Sequence, residues 1–420
     1  MTSSSPMALA ASLFDALREA SLDPPGVSRA SYGEGERVAH ALVRAVAEGL
    51  GLECRVDPVG TLFMTLPGAD RSLPPVMIGS HLDAVTHGGN FDGAAGVVMG
   101  LALVAQLQAE GRRLKRDLTI LGIRAEEMCW FPVNYIGSRA AFGLLPPETP
   151  DRARRADSDR TLAEHMLEEG FDPDFIRQGR ASLDPSRIHA FIEPHIEQGP
   201  VLVGAGLPCA IVTGIRGILR HPLCRAQGAW NHAGAVPRSF RQDAVLATAQ
   251  LAARLDALWD DVEAAGRDLV LTMGEFWTPA AMHAPTKVPG EVAFSLDIRS
   301  EEEALLDEVV AQMQEMAEEA LKERRVTLDY GMGMRAAPAL MDPRLRAALR
   351  DGAGRAGVPF LEMTSGAGHD CASFVLRGVP SAMLFIRNAN GSHNPDEAME
   401  LEDFGAALQV LAAAIEEIAA

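Results

Sequence analysis

The chain has 420 residues, with 57 acidic against 38 basic side chains and a formal net charge of −19 at pH 7. Phosphate backbones and anionic membrane surfaces repel such a surface, so nucleic acid and membrane are excluded as expected partners, while the length allows two domains with sizeable cores. The five cysteines, Cys54, Cys129, Cys209, Cys224 and Cys371, show no C-x-x-C spacing and cannot all pair, as in proteins of a reducing compartment.

The first segment, MTSSSPMALAASLFDALREAS, lacks a basic leader region and carries Asp15 inside its apolar run, so it reads as an amphipathic helix and residues 8–50 as helical. No run approaches the roughly 20 apolar residues that span a bilayer, and the expected location is the cytoplasm. Strands are expected at Cys54–Leu66, Val76–Ser80 and Leu118–Arg124, with a helix at Val97–Glu110 between the last two; this alternation predicts an α/β sheet. Directly after the second strand comes GSHLDAVTHGGNFDGAAG, residues 79–96. On an extended strand end His81 and Asp83 share a face, so the carboxylate can orient the imidazole, and Asp92 follows in a glycine-padded loop. The glycines lack the lysine of a phosphate-binding loop.

After the third strand, RAEEMCWF (residues 124–131) sets Glu126 beside Glu127. Neighbours at a strand end point to opposite sides, so one can hold a metal ion while the other reaches water. Cys129 is expected to be a small buried residue. The polar stretch 147–187 reads as surface helices and loops. IEPHIEQGP, residues 192–200, then adds His195 and Gln198.

The character changes near Val212–Gly217. Strands near 218–226, 269–275, 291–298 and 325–330, with helices near 242–264 and 301–324, predict helices packed on an antiparallel sheet. Residues 331–420 return to strand and helix alternation and end in GSHNP, whose His393 must rejoin the earlier ligands; 213–330 is therefore expected to be an insertion between catalytic parts 1–212 and 331–420.

Taken together, GSHLDAVTHGGNFDGAAGV, the EE pair with FPVNYIGSRAAFG, HIEQGPVL, NHAGAVPRSFRQDA, VPGEVAFSLDIRS, SGAGHD and SHNP resemble the N-carbamoyl-L-amino-acid hydrolase and allantoate amidohydrolase group of di-metal hydrolases, from about residue 76 to the C-terminus. The resemblance implies an exopeptidase-like catalytic domain, with a mixed sheet flanked by helices, and an inserted ferredoxin-like α+β domain that dimerises the chain. It implies two divalent ions (zinc, manganese, cobalt or nickel). His81 and His195 would hold one, Glu127 and His393 the other, and Asp92 would bridge them. Asp83 would orient His81, Glu126 would be the general base, and His232 would reach the developing oxyanion across a homodimer interface. Arg299 would bind a substrate carboxylate, with Gln198, Asn231, Thr286, Gly366, Gly368 and His369 around the ligand; His369 can equally prop the glycine loop.

The chain departs from that pattern at Thr286, where asparagine is expected, and at Cys129 and Trp130, where serine and arginine are expected. An indole facing the pocket would favour a flatter or more apolar ligand; one facing the core would not. Arg216 and His283 are further polar residues of open role. The expected activity is hydrolysis of a linear C–N bond in an N-carbamoyl acid or allantoate-like small molecule. The rivals are an aminoacylase or dipeptidase and an inactive binding protein on the same fold.

Overall fold

A computed structural model describes residues 5–420. The chain divides into two compact units: residues up to Thr213 together with Leu340–Ala420, and Gly214–Ala339.

The first unit is built on a mixed sheet. Its neighbouring strands run in the order Cys209–Ile215, Ser381–Ile386, Ala190–Ile196, Val76–His81, Leu118–Ile123, Leu62–Leu66 and Glu53–Val56. The four from Ser381–Ile386 to Leu118–Ile123 are parallel, and every residue in them is buried. Continuous apolar runs of this kind are what helices on both faces require. The helix Ala94–Ala109 is apolar all round and buries thirteen of its residues, as a helix enclosed in a core must.

Residues 8–50 are not one helical stretch: Pro6–Ala20 and Glu34–Gly49 are helices, and between them Leu22–Asp23 and Gly26–Arg29 form a small sheet with Ala84–Gly88. Pro24, Pro25 and Gly26 break the helical pattern, and pairing with the 84–88 segment captures the chain that follows. The 147–187 stretch is not only surface, because Leu162, Met166, Phe175 and Ile176 bury against Tyr32, Trp130 and Phe131 in a separate apolar cluster.

In the second unit, Gly217–Gln227, Val270–Thr272, Glu291–Ser300 and Thr327–Asp329 pair antiparallel, with helices Ala244–Ala264 and Glu303–Arg324 in the connections. Numbered along the chain, the strand order is 2-3-1-4, the ferredoxin-like arrangement. The boundary expected at 330 lies at 339 instead, because Met334–Ala336 adds a further pairing onto Ile218–Arg220. Among the described residues no helix is long and apolar enough to cross a membrane.

Candidate metal centre

Parallel strands deliver their loops at their carboxyl ends, where ligands of open α/β sheets gather. Four such ends supply the candidate ligands. His81 closes the strand Val76–His81, His195 lies one residue before the end of Ala190–Ile196, Glu126 and Glu127 follow Ile123, and His393 lies in the loop after Ile386. Asp92 sits just before the helix Ala94–Ala109.

Asp92 is common to two clusters, His81–Asp92–His195 and Asp92–Glu127–His393. Its Oδ1 lies 3.5 Å from His81 Nε2 and 3.2 Å from His195 Nε2, and its Oδ2 lies 3.4 Å from His393 Nε2. His393 Nε2 is in turn 3.5 Å from Glu127 Oε1. Ligands roughly 2.1 Å from a tetrahedral ion stand about 3.4 Å apart, so both clusters have the spacing of a coordination shell. The tautomer agrees: His195 donates through Nδ1 to the Ile196 carbonyl (2.9 Å), which leaves Nε2 as an acceptor on the side of Asp92, where it takes the Gly93 amide at 3.1 Å. Asp92 Oδ1 and Glu127 Oε1 are buried without a hydrogen-bond partner, as oxygens reserved for cations would be. Burial and then the neighbouring Asp92 charge push the Glu127 carboxyl up to about 7, a crowding that a cation relieves.

Gly93 has φ +65°, and a Cβ there would run into the His81 ring. Gly93→Ala is therefore expected to weaken binding of divalent ions by about 10- to 100-fold, the usual effect of disturbing a ligand's support. Competition against a chelator measures this, and unchanged affinity would mean that the loop yields without moving His81.

The acidic pair is held by backbone bonds that no motif announces. Asp83 accepts the Glu126 and Glu127 amides (3.1 Å each), besides Ser31 Oγ (2.6 Å), and its Oδ1 stands 3.3 Å from His81 Nδ1. Ala125 takes the left-handed φ of +54°, a strained conformation for a residue with a Cβ. The buried Glu36 fixes it by accepting the Ala125 amide (2.8 Å) while pairing with Arg124 (3.0 Å). Glu126 itself lies 3.9 Å from His81 Nε2. Burial pushes its carboxyl well above the usual range; His81 opposes the rise, and Glu127, Asp370 and Asp83 add to it.

Asp92 has its own supports. Glu397 accepts the Phe91 and Asp92 amides (2.8 and 3.3 Å), and Ser392 Oγ bridges Asp92 Oδ2 to Glu397 (2.5 Å each). Gln198, expected at the substrate, donates its side-chain amide to Asp92 Oδ2 (2.7 Å). His369 is buried against His195, with ring centroids 4.5 Å apart, and its Nε2 pairs with Ser365 Oγ at 3.0 Å, the arrangement of a prop. Gly366 and Gly368 lie in the turn between strand Phe360–Ser365 and helix Cys371–Leu376, and any Cβ at Gly368 would overlap the Tyr135 hydroxyl. Trp130 faces the core: it is 7 % exposed, lies in the apolar cluster with Tyr32 and Phe131, and donates Nε1 to the Ala84 carbonyl at 2.9 Å. Cys129 is exposed, contrary to expectation, because its neighbour Trp130 takes the inward position.

Within the second unit, Asn231 and His232 pair with Lys287–Val288. His232 Nδ1 accepts the Gly234 and Ala235 amides (3.1 Å each), so the ring proton must sit on Nε2, which is left as a hydrogen-bond donor on an exposed side chain. Asn231 donates to the Ala229 carbonyl (3.3 Å), and the Thr286 carbonyl accepts the Ala233 amide (2.8 Å), so both brace that turn. Arg299 bonds Asp297 (2.6 Å), Arg216 grips Asp268 (2.6–3.0 Å), and His283 pairs with Thr278 (2.7 Å).

A buried parallel sheet with two histidine–carboxylate clusters sharing one aspartate defines a candidate two-ion hydrolase centre. Residues 77–417 match the model of peptidase family M20/M25/M40, and the chain belongs to that family. It is 34% identical to an N-carbamoyl-L-amino acid amidohydrolase of Geobacillus stearothermophilus over 92% of each chain. It is 33% identical to an allantoate amidohydrolase of Bacillus subtilis, covering 89% of this chain and 88% of that relative. The crystal structure of a hydantoinase/carbamoylase family amidase from Burkholderia ambifaria superposes with a TM-score of 0.85 at 29% identity, covering 98% of each chain.

Proposed function

We propose that this chain is a metal-dependent amidohydrolase that cleaves the linear C–N bond of an N-carbamoyl amino acid or allantoate-like ureido acid. The observation that carries the reading is Asp92, which turns one oxygen to each of two ligand clusters with Glu126 beside them. The names of the relatives support it.

In this reading His81 and His195 hold one divalent ion, Glu127 and His393 the other, and Asp92 both. The ions are zinc, manganese, cobalt or nickel, all of which imidazole and carboxylate ligands suit. Two such ions supply Lewis-acid polarisation of a carbonyl and make water acidic enough to attack at neutral pH. Glu126 takes the proton of the attacking water and returns it to the departing nitrogen. Asp83 keeps Glu126 and Glu127 divergent by holding both amides, and it keeps Nε2 of His81 turned inward. For a ureido acid the balance is one water consumed, with the amine, carbon dioxide and ammonia released.

The inserted unit dimerises the chain, and His232 of one subunit serves the other's reaction. Its Nε2–H is set as a donor by the two backbone amides on Nδ1, and a donor aimed at a developing oxyanion contributes about 10²- to 10³-fold in rate. Arg299 binds the substrate carboxylate, with Asn231, Thr286, Gly366 and Gly368 lining the ligand. The enzyme is cytoplasmic.

The test is ammonia release by protein loaded with manganese or zinc, offered N-carbamoyl-L-amino acids, allantoate, carbamoyl-β-alanine and N-acetyl amino acids. Turnover of one ureido acid is expected; acetate release from the N-acetyl compounds alone would make the enzyme an aminoacylase. A second test mixes His232→Ala with Glu126→Gln subunits, each inactive alone. Mixed dimers regain part of the activity if His232 acts across the interface, and demonstrated heterodimers without recovery would refute the shared site.

A further inference from the structure

Arg29 is fully buried in the first unit and is the bulkiest of its wholly enclosed side chains. Enclosing a guanidinium without a partner carboxylate is costly, and where it occurs the group's hydrogen bonds show what holds it there. No ion pair of Arg29 is seen among the described residues. Its Nε donates to the Leu82 carbonyl (2.7 Å), one Nη to Asn90 Oδ1 (3.2 Å) and Ser21 Oγ (3.4 Å), and the other Nη to the Asn90 carbonyl (3.4 Å).

The sequence positions of those acceptors matter more than their number. Leu82 lies between His81 and Asp83, and Asn90 lies two residues before Asp92. A single rigid fork therefore ties the end of the strand that carries His81 to the loop that carries Asp92. Asn90 is fixed from its far side as well, by donating Nδ2 to the Phe14 carbonyl (2.9 Å). Strand pairing of Arg29 with Ala84 sets the fork in register with both segments. Burial lowers the Arg29 pKa, against the raising influence of Glu397, Asp83, Asp92 and Glu127, so the cation also sits within the field of the acidic centre.

We propose that Arg29 is a positioning residue of the metal centre, a guanidinium clamp that sets the separation of His81 from Asp92. This rests on the metal-centre reading given above. The alternative role is a mere counter-charge for the crowded carboxylates, and the two roles predict opposite signs. A cation near a cation site weakens ion binding by repulsion, so a pure counter-charge, once removed, leaves the ions bound more tightly. A clamp, once removed, leaves them bound more weakly. Lysine keeps the charge but is a point donor on a flexible stem and cannot reproduce the fork.

The experiment is competition for manganese between a chelator and the full-length protein, wild type, Arg29→Lys and Arg29→Met, with folding verified by circular dichroism and melting of the metal-free forms. Both variants are expected to bind manganese about 10- to 100-fold more weakly than wild type, the range found when a ligand's supporting bond is lost. Asn90→Ala, which leaves the Leu82 bond in place, is expected to shift affinity in the same direction by less, and it decides the matter if the Arg29 variants fail to fold. Wild-type affinity in Arg29→Lys, or tighter binding in Arg29→Met, would overturn the clamp while leaving the metal centre intact. A wild-type protein that binds none of manganese, zinc, cobalt and nickel would overturn both.

Discussion

Glu126→Gln will keep its ions and lose about 10²- to 10⁴-fold in turnover of the preferred ureido acid, the range that positioned proton transfer supplies. Glutamine has the same size, and the backbone amide at 126 keeps its bond to Asp83, so the turn and the neighbouring Glu127 stay where they are. What disappears is a carboxylate able to take a proton from water beside His81 and pass it on. Metal content and kcat measured on the same preparation separate the two effects. Normal metal content with near-normal kcat would remove Glu126 from the chemistry; loss of metal would make it a ligand instead.

Asp92→Ala should be more severe, because it takes one oxygen from each of the two clusters at once. The expected result is ion binding too weak to survive desalting, turnover below detection, and loss of the rise in melting temperature that added metal gives the wild type. Histidine variants make a useful contrast. His195→Ala touches only the Asp92 Oδ1 side, and His393→Ala only the Oδ2 side, so each should leave one ion more firmly held than the other. If Asp92→Ala loses only one ion, the bridging assignment fails.

The candidate centre was unusually legible in the sequence because most of its ligands stand at the carboxyl ends of buried parallel strands, where an apolar run stops and a histidine or acid pair begins, while Asp92 lies in the glycine-padded loop before the helix Ala94–Ala109. His81, Glu126, Glu127 and His195 all stand at such stops, and the structure gathers them with Asp92 and His393. Apart from Asp83, the groups that hold these residues in place were not legible. Arg29, Ser31 and Glu36 lie about 50 to 100 residues before the segments they support and belong to no motif; only the pairing of Gly26–Arg29 with Ala84–Gly88 brings Arg29 and Ser31 near. Ser392 and Glu397 flank His393 closely enough to have been noticed, but a serine and a glutamate near a loop histidine carry no distinctive spacing. The direction of Trp130 was out of reach for a different reason. At an irregular strand end neither period two nor period 3.6 assigns a face, and the packing of Leu162, Met166 and Phe175 decided it. The helical expectation over 8–50 failed because composition favoured a helix while Pro24, Pro25 and Gly26 favoured a break, and the local breakers won.

The most direct measurement is a titration of metal-free protein with manganese while ammonia release from an N-carbamoyl-L-amino acid or allantoate is followed. Activity that is absent at the start and reaches its plateau at two ions per chain is the predicted result. Full ammonia release by the metal-free protein, or a plateau that Asp92→Ala reaches as well, would contradict a centre built on that residue.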